Sequence, residues 1–284
     1  TIKELLEAAE KENVSLGEVS LRWQVEKSHE TLESVRAKMG ERLQIMRLSV
    51  QDGCSPELRS ASGRVGGQAA KMVRAEQMGH FGVVSKACAY AMAVAESNAC
   101  MGKIVAAPTA GSCGILPGAL LAVQEEEHFS EDELISALFA AAGIGRVIAL
   151  EATISGAEGG CQAECGAAAA MAAAALTQLY GGTPKQACDA CSFALMNMLG
   201  LVCDPVGGLV EYPCQNRNAA GVANALVAAE LSLAGIRQFI PFDEMLDTMY
   251  AVGRRIPLEL RETALGGCAA TPAACAACGL CSGN

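Results

Sequence analysis

The chain has 284 residues, a formal charge of -10, 51% hydrophobic residues, 4% aromatic and 18% charged. That length supports a full hydrophobic core in one large domain or two modest ones. The acidic balance argues against nucleic acid or an anionic membrane as partner, since both need clustered Lys and Arg, and leaves small-molecule chemistry as the better class.

Residues 2–12 predict a short charged helix, and Ser15 with Glu18 predicts a capping box that opens a much longer one. On that long helix Leu32, Val35, Met39, Leu43 and Met46 repeat at three-and-four spacing, a stripe for core or subunit contact, and Trp23 and His29 are packing or surface residues. From Gln51, QDGCSPELRSASGRVGGQAAK is a loop dense in Gly and Ser and marks the clearest internal boundary, with helix resuming near Ala69.

A helix from about Val83 to Met101 follows, then the apolar IVAA and the turn PTAGSCGILPG, entering another helix at Gly118. Backbone N–H groups and hydroxyls in that turn suit a carboxylate; a plain connection between helices is the alternative. Ser130 and Glu133 cap a helix running to about Leu150. SGAEGGCQAEC then leads into an Ala-rich run, Gly166 to Tyr180. Alanine gains little in lipid, so this run is read as a central buried helix rather than a membrane span. Thr183 and Pro184 start another helix, and QNRNAAGVANALVAAELSLAG and FDEMLDTMYAVGRR give two more. No strand–helix alternation, dinucleotide fingerprint or repeat is sustained, so the expected fold is mostly α, a single large helical domain with Gly-rich loops.

Fourteen cysteines in a long chain that begins TIKELLEAAE, without an apolar signal segment, point to a reducing cytoplasm rather than a disulfide scaffold. Cys203 and Cys214 bracket CDPVGGLVEYPC, and Cys161 stands in SGAEGGCQAEC. Three thiols presented from Gly/Pro-rich loops suit an iron–sulfur cluster or a zinc ion, with buried free thiols as the alternative. Cys88 and Cys100 fall in apolar helical pattern and are assigned to packing, and Cys188 and Cys191 form a C-x-x-C inside a predicted helix, also structural. The tail holds Cys268, Cys275, Cys278 and Cys281; a second cluster, one ligand from the tail, or free thiols all fit.

The blocks AESNACMGKIVAAPTAGSCGILPGALL, ISGAEGGCQAECGAAAAMAAAAL, GLVCDPVGGLVEYPCQNRNAAGVANA and ETALGGCAATPA closely resemble the α chain of bacterial iron–sulfur-dependent L-serine dehydratases, over about residues 54–275. The resemblance implies a lyase of amino-acid degradation, oxygen-sensitive and cytoplasmic, with a largely helical catalytic region. It implies a [4Fe–4S] cluster on Cys161, Cys203 and Cys214, no pyridoxal phosphate, a separate regulatory β chain with an ACT-like domain, and an oligomer. In some members a C-terminal cysteine is a fourth, displaceable ligand, a role that falls here to Cys275. The expected division is an N-terminal helical segment, 1–53, a catalytic domain, 54–267, and a Cys-rich tail, 268–284.

Dehydration of serine needs a Lewis acid for the hydroxyl and a base for the α-proton. Lys71 and His80 are the candidate bases because each lies beside a Gly-rich turn; their alternative is an exposed lysine and a satisfied histidine. Asn98, Thr109, Ser112 and Asn218 are the expected groups for the substrate carboxylate and amine, while Glu158 and Glu164 are expected to cap or to support the first thiol. Two rival functions are a cysteine desulfidase of the same fold and a non-catalytic zinc or iron–sulfur scaffold.

Overall fold

The protein is described here by a computed structural model covering residues 1–77 and 80–278, apart from the side chain of Glu76. Thirteen α-helices and no strand occur among the described residues; one isolated parallel bridge pairs Cys203 with Arg261. At the centre lies α9 (Ala167–Leu179), whose residues through Thr177 are all buried. Small alanine side chains let neighbouring backbones approach closely, and α9 packs against α6 (Ile115–Glu127), α7 (Glu131–Glu151), α10 (Pro184–Asn197) and α11 (Cys214–Leu233). The Ala-rich run is thus the buried central helix expected. The helix long and apolar enough to cross a membrane is instead α7, and much of it is buried in the same core.

Outside this centre, α5 (Val83–Ala99) joins α6 and α11 to α3 (Leu32–Gly53) and α4 (Gln68–Glu76), and α2 (Leu16–Ser28) lies on α7. The first helix, α1 (Ile2–Glu12), touches α2, α7, α10 and α12 (Phe242–Arg255). One hydrophobic cluster runs from Ile2 to Met249, so helices α1 to α3 share the core of the rest.

Local signals place many boundaries. Ser130 and Thr183 each form a full capping box, and Pro184 occupies the first position of α10, where a missing N–H costs nothing. The long helix expected after Ser15 is two helices. His29 takes a left-handed conformation (φ 56°) and closes α2 through its N–H to the Val25 carbonyl, and Thr31 caps α3 by accepting from Ser34 N–H. Trp23 therefore lies on α2 and the apolar stripe on α3, where Val35, Leu43 and Met46 are buried and Leu32 is exposed. α6 starts at Ile115, before the expected Gly118, because Pro117 is tolerated within a first helical turn. Beyond α12, 3₁₀ turns at Leu258–Leu260 and Gly267–Ala270 lead to α13 (Pro272–Cys278); Cys281 lies outside the described residues.

Candidate active site around three thiols

Loops alone do not present the three thiols. Gly160 (φ 77°) ends the one-turn α8 (Gly156–Gly159) and turns the chain into Cys161, which leads a π-helical turn, Gln162–Gly166. Cys214 is the first residue of α11, and Cys203 alone sits in extended backbone. Cys203 is fixed there by its N–H to the Leu260 carbonyl at 2.9 Å and its own carbonyl accepting from Glu262 N–H at 2.6 Å. A buried glutamine ties two of these segments together. Gln162 N–H donates to the Leu201 carbonyl at 3.0 Å, its Oε1 accepts from Gly200 N–H at 2.8 Å and its Nε2 donates to the Met249 carbonyl at 2.8 Å. That brings the turn behind Cys161 against the approach to Cys203. The site is therefore assembled from helix starts as much as from Gly-rich loops.

Cys161 and Cys203 are buried and Cys214 partly so, and both Cys203 and Cys214 feel the charge of Cys161. Burial pushes the Cys214 thiol up to about 12, with the charge of Cys161 adding to it. Burial also pushes Cys203 up, reinforced by Glu164, Cys161 and Cys214. Cys161 goes the other way. Its sulfur lies 3.4 Å from that of Cys165, whose thiol stabilises the Cys161 thiolate, and the Arg217 guanidinium adds to this against the cost of burial.

Arg217 stands one helical turn beyond Cys214, largely buried, and forms an ion pair with Asp204 at 2.7 Å. Its Nη1 donates to the Val202 carbonyl at 2.9 Å. A buried cation among thiols offsets the charge that thiolates bring. Glu164 closes the ring of polar groups: Oε1 accepts from the Thr109 hydroxyl at 2.7 Å, and Oε2 lies 3.8 Å from the Cys203 sulfur. Burial raises its carboxyl above the ordinary range, against the lowering effect of the Thr109 bond. A Cβ on Gly156 would stand 2.8 Å from Glu164 Oε2 and 3.0 Å from the Cys203 sulfur, so a side chain there would intrude on this ring.

Thr109, Ser112, Asn98 and Asn218 all come together on the turn that precedes α6. Thr109 and Ser112 hydroxyls are 3.2 Å apart, and Asn98 Nδ2 donates to the Ala110 carbonyl at 3.4 Å. Asn218 is fully buried and spends its amide on backbone: Oδ1 accepts from Gly114 N–H, and Nδ2 donates to the Gly111 and Cys214 carbonyls, each at 2.8 Å. It clamps the turn to α11. Lys71, exposed on α4, and His80, exposed ahead of α5, are not joined to this group by any contact among the described residues. Glu158 accepts from the Thr153 hydroxyl at 2.6 Å, a bond within its own segment rather than to the first thiol.

Sequence reasoning missed Arg217, Asp204, Gln162 and Cys165. Spacing signalled only two of them: Arg217 follows Cys214 by three residues and Cys165 follows Cys161 by four, intervals that bring side chains to one face of a helical turn. Among the other cysteines, Cys188 and Cys191 are buried on α10 and Cys88 is half-buried on α5, as expected of packing residues. No three His, Cys, Asp or Glu side chains among the described residues are gathered tightly enough to hold a single metal ion.

The tail reaches the same region. Asp204 Oδ2 accepts from Cys268 N–H at 2.6 Å. Arg64 Nη2 donates to the Ala277 carbonyl at 3.1 Å and lies 3.0 Å from the Cys278 sulfur. That sulfur would be 3.1 Å from a Cβ on Gly207, which places Cys278 against the segment between Cys203 and Cys214. Cys275 is disulfide-bonded.

Residues 10–281 match the family model described as serine dehydratase alpha chain. The chain is 44% identical over 274 residues to a probable L-serine dehydratase, alpha chain, of Bacillus subtilis, covering 95% of this chain and 91% of that one. It is 42% identical over 272 residues to the L-serine dehydratase, alpha chain, of Peptoniphilus asaccharolyticus, covering 95% and 93%. The L-serine dehydratase TdcG of Escherichia coli is 43% identical over 182 residues, which are 63% of this chain and 40% of the relative. With the family model matching nearly its whole length, this chain belongs to the serine dehydratase alpha-chain family.

Proposed function

We propose that the chain is the catalytic subunit of an L-serine dehydratase that converts L-serine to pyruvate and ammonia, using a [4Fe–4S] cluster held by Cys161, Cys203 and Cys214. The observation that carries this reading is the match of nearly the whole chain to the serine dehydratase alpha-chain family, supported by three thiols whose segments are tied together through Gln162 and the Arg217–Asp204 ion pair. The donor set fits such a group. All three donors are soft sulfurs, they come from separate segments that can face separate irons, and a guanidinium compensates thiolate charge. The raised pKa of Cys203 and Cys214 belongs to the metal-free chain; a bound cation favours the thiolates. When bound, the cluster supplies an iron without a protein ligand, which draws electron density from the substrate hydroxyl and eases its departure.

The remaining roles fall to this chain's own side chains. The Ser112 and Thr109 hydroxyls, on the turn ahead of α6, are the groups proposed for the substrate carboxylate, Thr109 by turning its one proton away from Glu164, with Asn98 supporting the turn. Asn218 holds that turn in place. Glu164, one oxygen of which is held by Thr109, is proposed as the counter-charge for the substrate ammonium. Lys71 and His80 stay the candidate bases for the α-proton. Loss of water leaves aminoacrylate, which tautomerises to an imine and hydrolyses to pyruvate and ammonia, so pyridoxal phosphate has no part in this scheme. The role of displaceable fourth ligand, expected of Cys275, passes to Cys278: its thiol is free and lies against the Cys203–Cys214 segment, whereas Cys275 is disulfide-bonded and would first have to be reduced.

Two relatives named as alpha chains, and a longer relative of which this chain matches 40%, support a further subunit; we infer that it is a regulatory β chain with an ACT-like domain, in an oxygen-sensitive, cytoplasmic oligomer. Anaerobic purification, followed by addition of L-serine, tests the reading. Broad visible absorbance that bleaches in air, iron and sulfide in matching amounts, and pyruvate release are expected. Colourless protein with a full zinc complement and no pyruvate overturns it, and faster turnover of L-cysteine than of L-serine transfers it to desulfidation.

A further inference from the structure

A cavity of about 250 Å³ opens between α2, α3 and α7, and no residue of the thiol site lines it. Trp23, Phe139 and Met39 give it an apolar surface, and Lys27, Lys38, Arg42 and Arg146 also line it, with Glu30 the one acid. Four positive groups less one negative give a local charge of +3, in a chain whose formal charge is -10. Such a concentration opposes the protein's overall field and costs repulsion unless an anion enters.

The cavity's own groups neutralise little of this charge. Lys38 is paired with Glu30 at 2.5 Å, and Arg42 Nη1 donates to the Lys38 carbonyl at 2.8 Å. Lys27 and Arg146 have no carboxylate partner among the described residues, and the Arg146 guanidinium carbon stands 6.0 Å from the centre of the Trp23 ring. An aromatic face and unneutralised cations in one concavity suit a ligand that has both a flat apolar body and a negative group. The volume limits that ligand to about one ring system with its anionic substituent.

We propose that this cleft binds a small planar organic anion, a ring bearing a phosphate or carboxylate, with the ring against Trp23 and the anionic group between Lys27 and Arg146. The site is independent of the thiols and of any metal they hold, so its test does not depend on turnover.

Trp23 is the only tryptophan in the chain, so its fluorescence reports this cleft directly. The full-length chain is titrated at low ionic strength with AMP, phenyl phosphate and benzoate, with adenosine and inorganic phosphate as controls. At least one aromatic anion is expected to give a saturable change whose midpoint rises with added salt. The same midpoint should rise about tenfold, the effect of about 1.4 kcal/mol, in Lys27→Ala and in Arg146→Ala. Both side chains are exposed, so these variants fold. Phenyl phosphate against benzoate then distinguishes phosphate from carboxylate. The proposal is overturned if none of the three anions gives a saturable change, if adenosine or inorganic phosphate alone matches them, or if both variants keep the original midpoint.

Discussion

Replacing Asn218 separates a side chain that binds substrate from one that builds the site. Its three hydrogen bonds are to protein backbone, and in Asn218→Ala the Gly114 N–H and the Gly111 carbonyl lose their partner in a fully buried setting. The Cys214 carbonyl also loses this bond but begins helix α11, where a backbone donor one turn on can serve it. Each orphaned group costs about 1–3 kcal/mol, so Asn218→Ala should lose about 2–6 kcal/mol. Asn218→Asp keeps the acceptor for Gly114 but turns an oxygen toward two carbonyls, so it should be the less stable variant at neutral pH. Urea denaturation of the metal-free chain reads both effects as a falling midpoint at unchanged slope. A loss below about 0.5 kcal/mol, within the range of an ordinary surface substitution, or Asp more stable than Ala, refutes the clamp and returns Asn218 to the substrate.

Other substitutions test the rest of the site. Cys161→Ala, Cys203→Ala and Cys214→Ala should each abolish visible absorbance and turnover, whereas Cys88→Ala, removing a half-buried thiol of α5, should do neither; loss of colour in Cys88→Ala contradicts this division. Gly156→Ala should lower iron content and turnover more than it lowers the unfolding midpoint, because its methyl group meets Glu164 and Cys203 rather than a core side chain. Full iron content and activity in that variant would show that the ring has room to spare. At the start of α7, Ser130 bonds hold the Glu133 carboxyl below its ordinary value, so this contribution to stability is complete above the ordinary glutamate range near 4.5 and is lost as pH falls through the lowered native value. The difference in thermal midpoint between wild type and Glu133→Gln should therefore close on acidification, and a gap that widens toward acid rejects the assignment.

Features decided within a few residues were legible in the sequence. Thr183-Pro184 and Ser130 with Glu133 name their own helix starts, and the Ala-rich run is buried as its composition requires. The break between α2 and α3 was not legible, because His29 adopts a left-handed backbone without glycine and Thr31 restarts the helix only two residues later. At the site, the cysteines could be named from their blocks, but not what joins them. The Gln162 bond to Met249 spans 87 residues and that of Thr109 to Glu164 spans 55, and no local pattern encodes such pairs.

Charge explains why the overlooked residues belong with the three thiols. In the metal-free chain, burial opposes ionisation of Cys203 and Cys214, while Cys161 is favoured as thiolate by Cys165 and Arg217. One favoured thiolate and Asp204 share one guanidinium, a net charge of −1, and the pairing of Arg217 with Asp204 holds that guanidinium between the segments carrying Cys203 and Cys214. Three thiolates would not be balanced by Arg217 alone, so further positive charge has to enter with whatever binds them and protons have to leave. Asp204 extends the same balance to the tail by accepting the Cys268 N–H on its second oxygen. The segment that brings Cys278 to Gly207 is thereby tied to the counter-ion of Arg217.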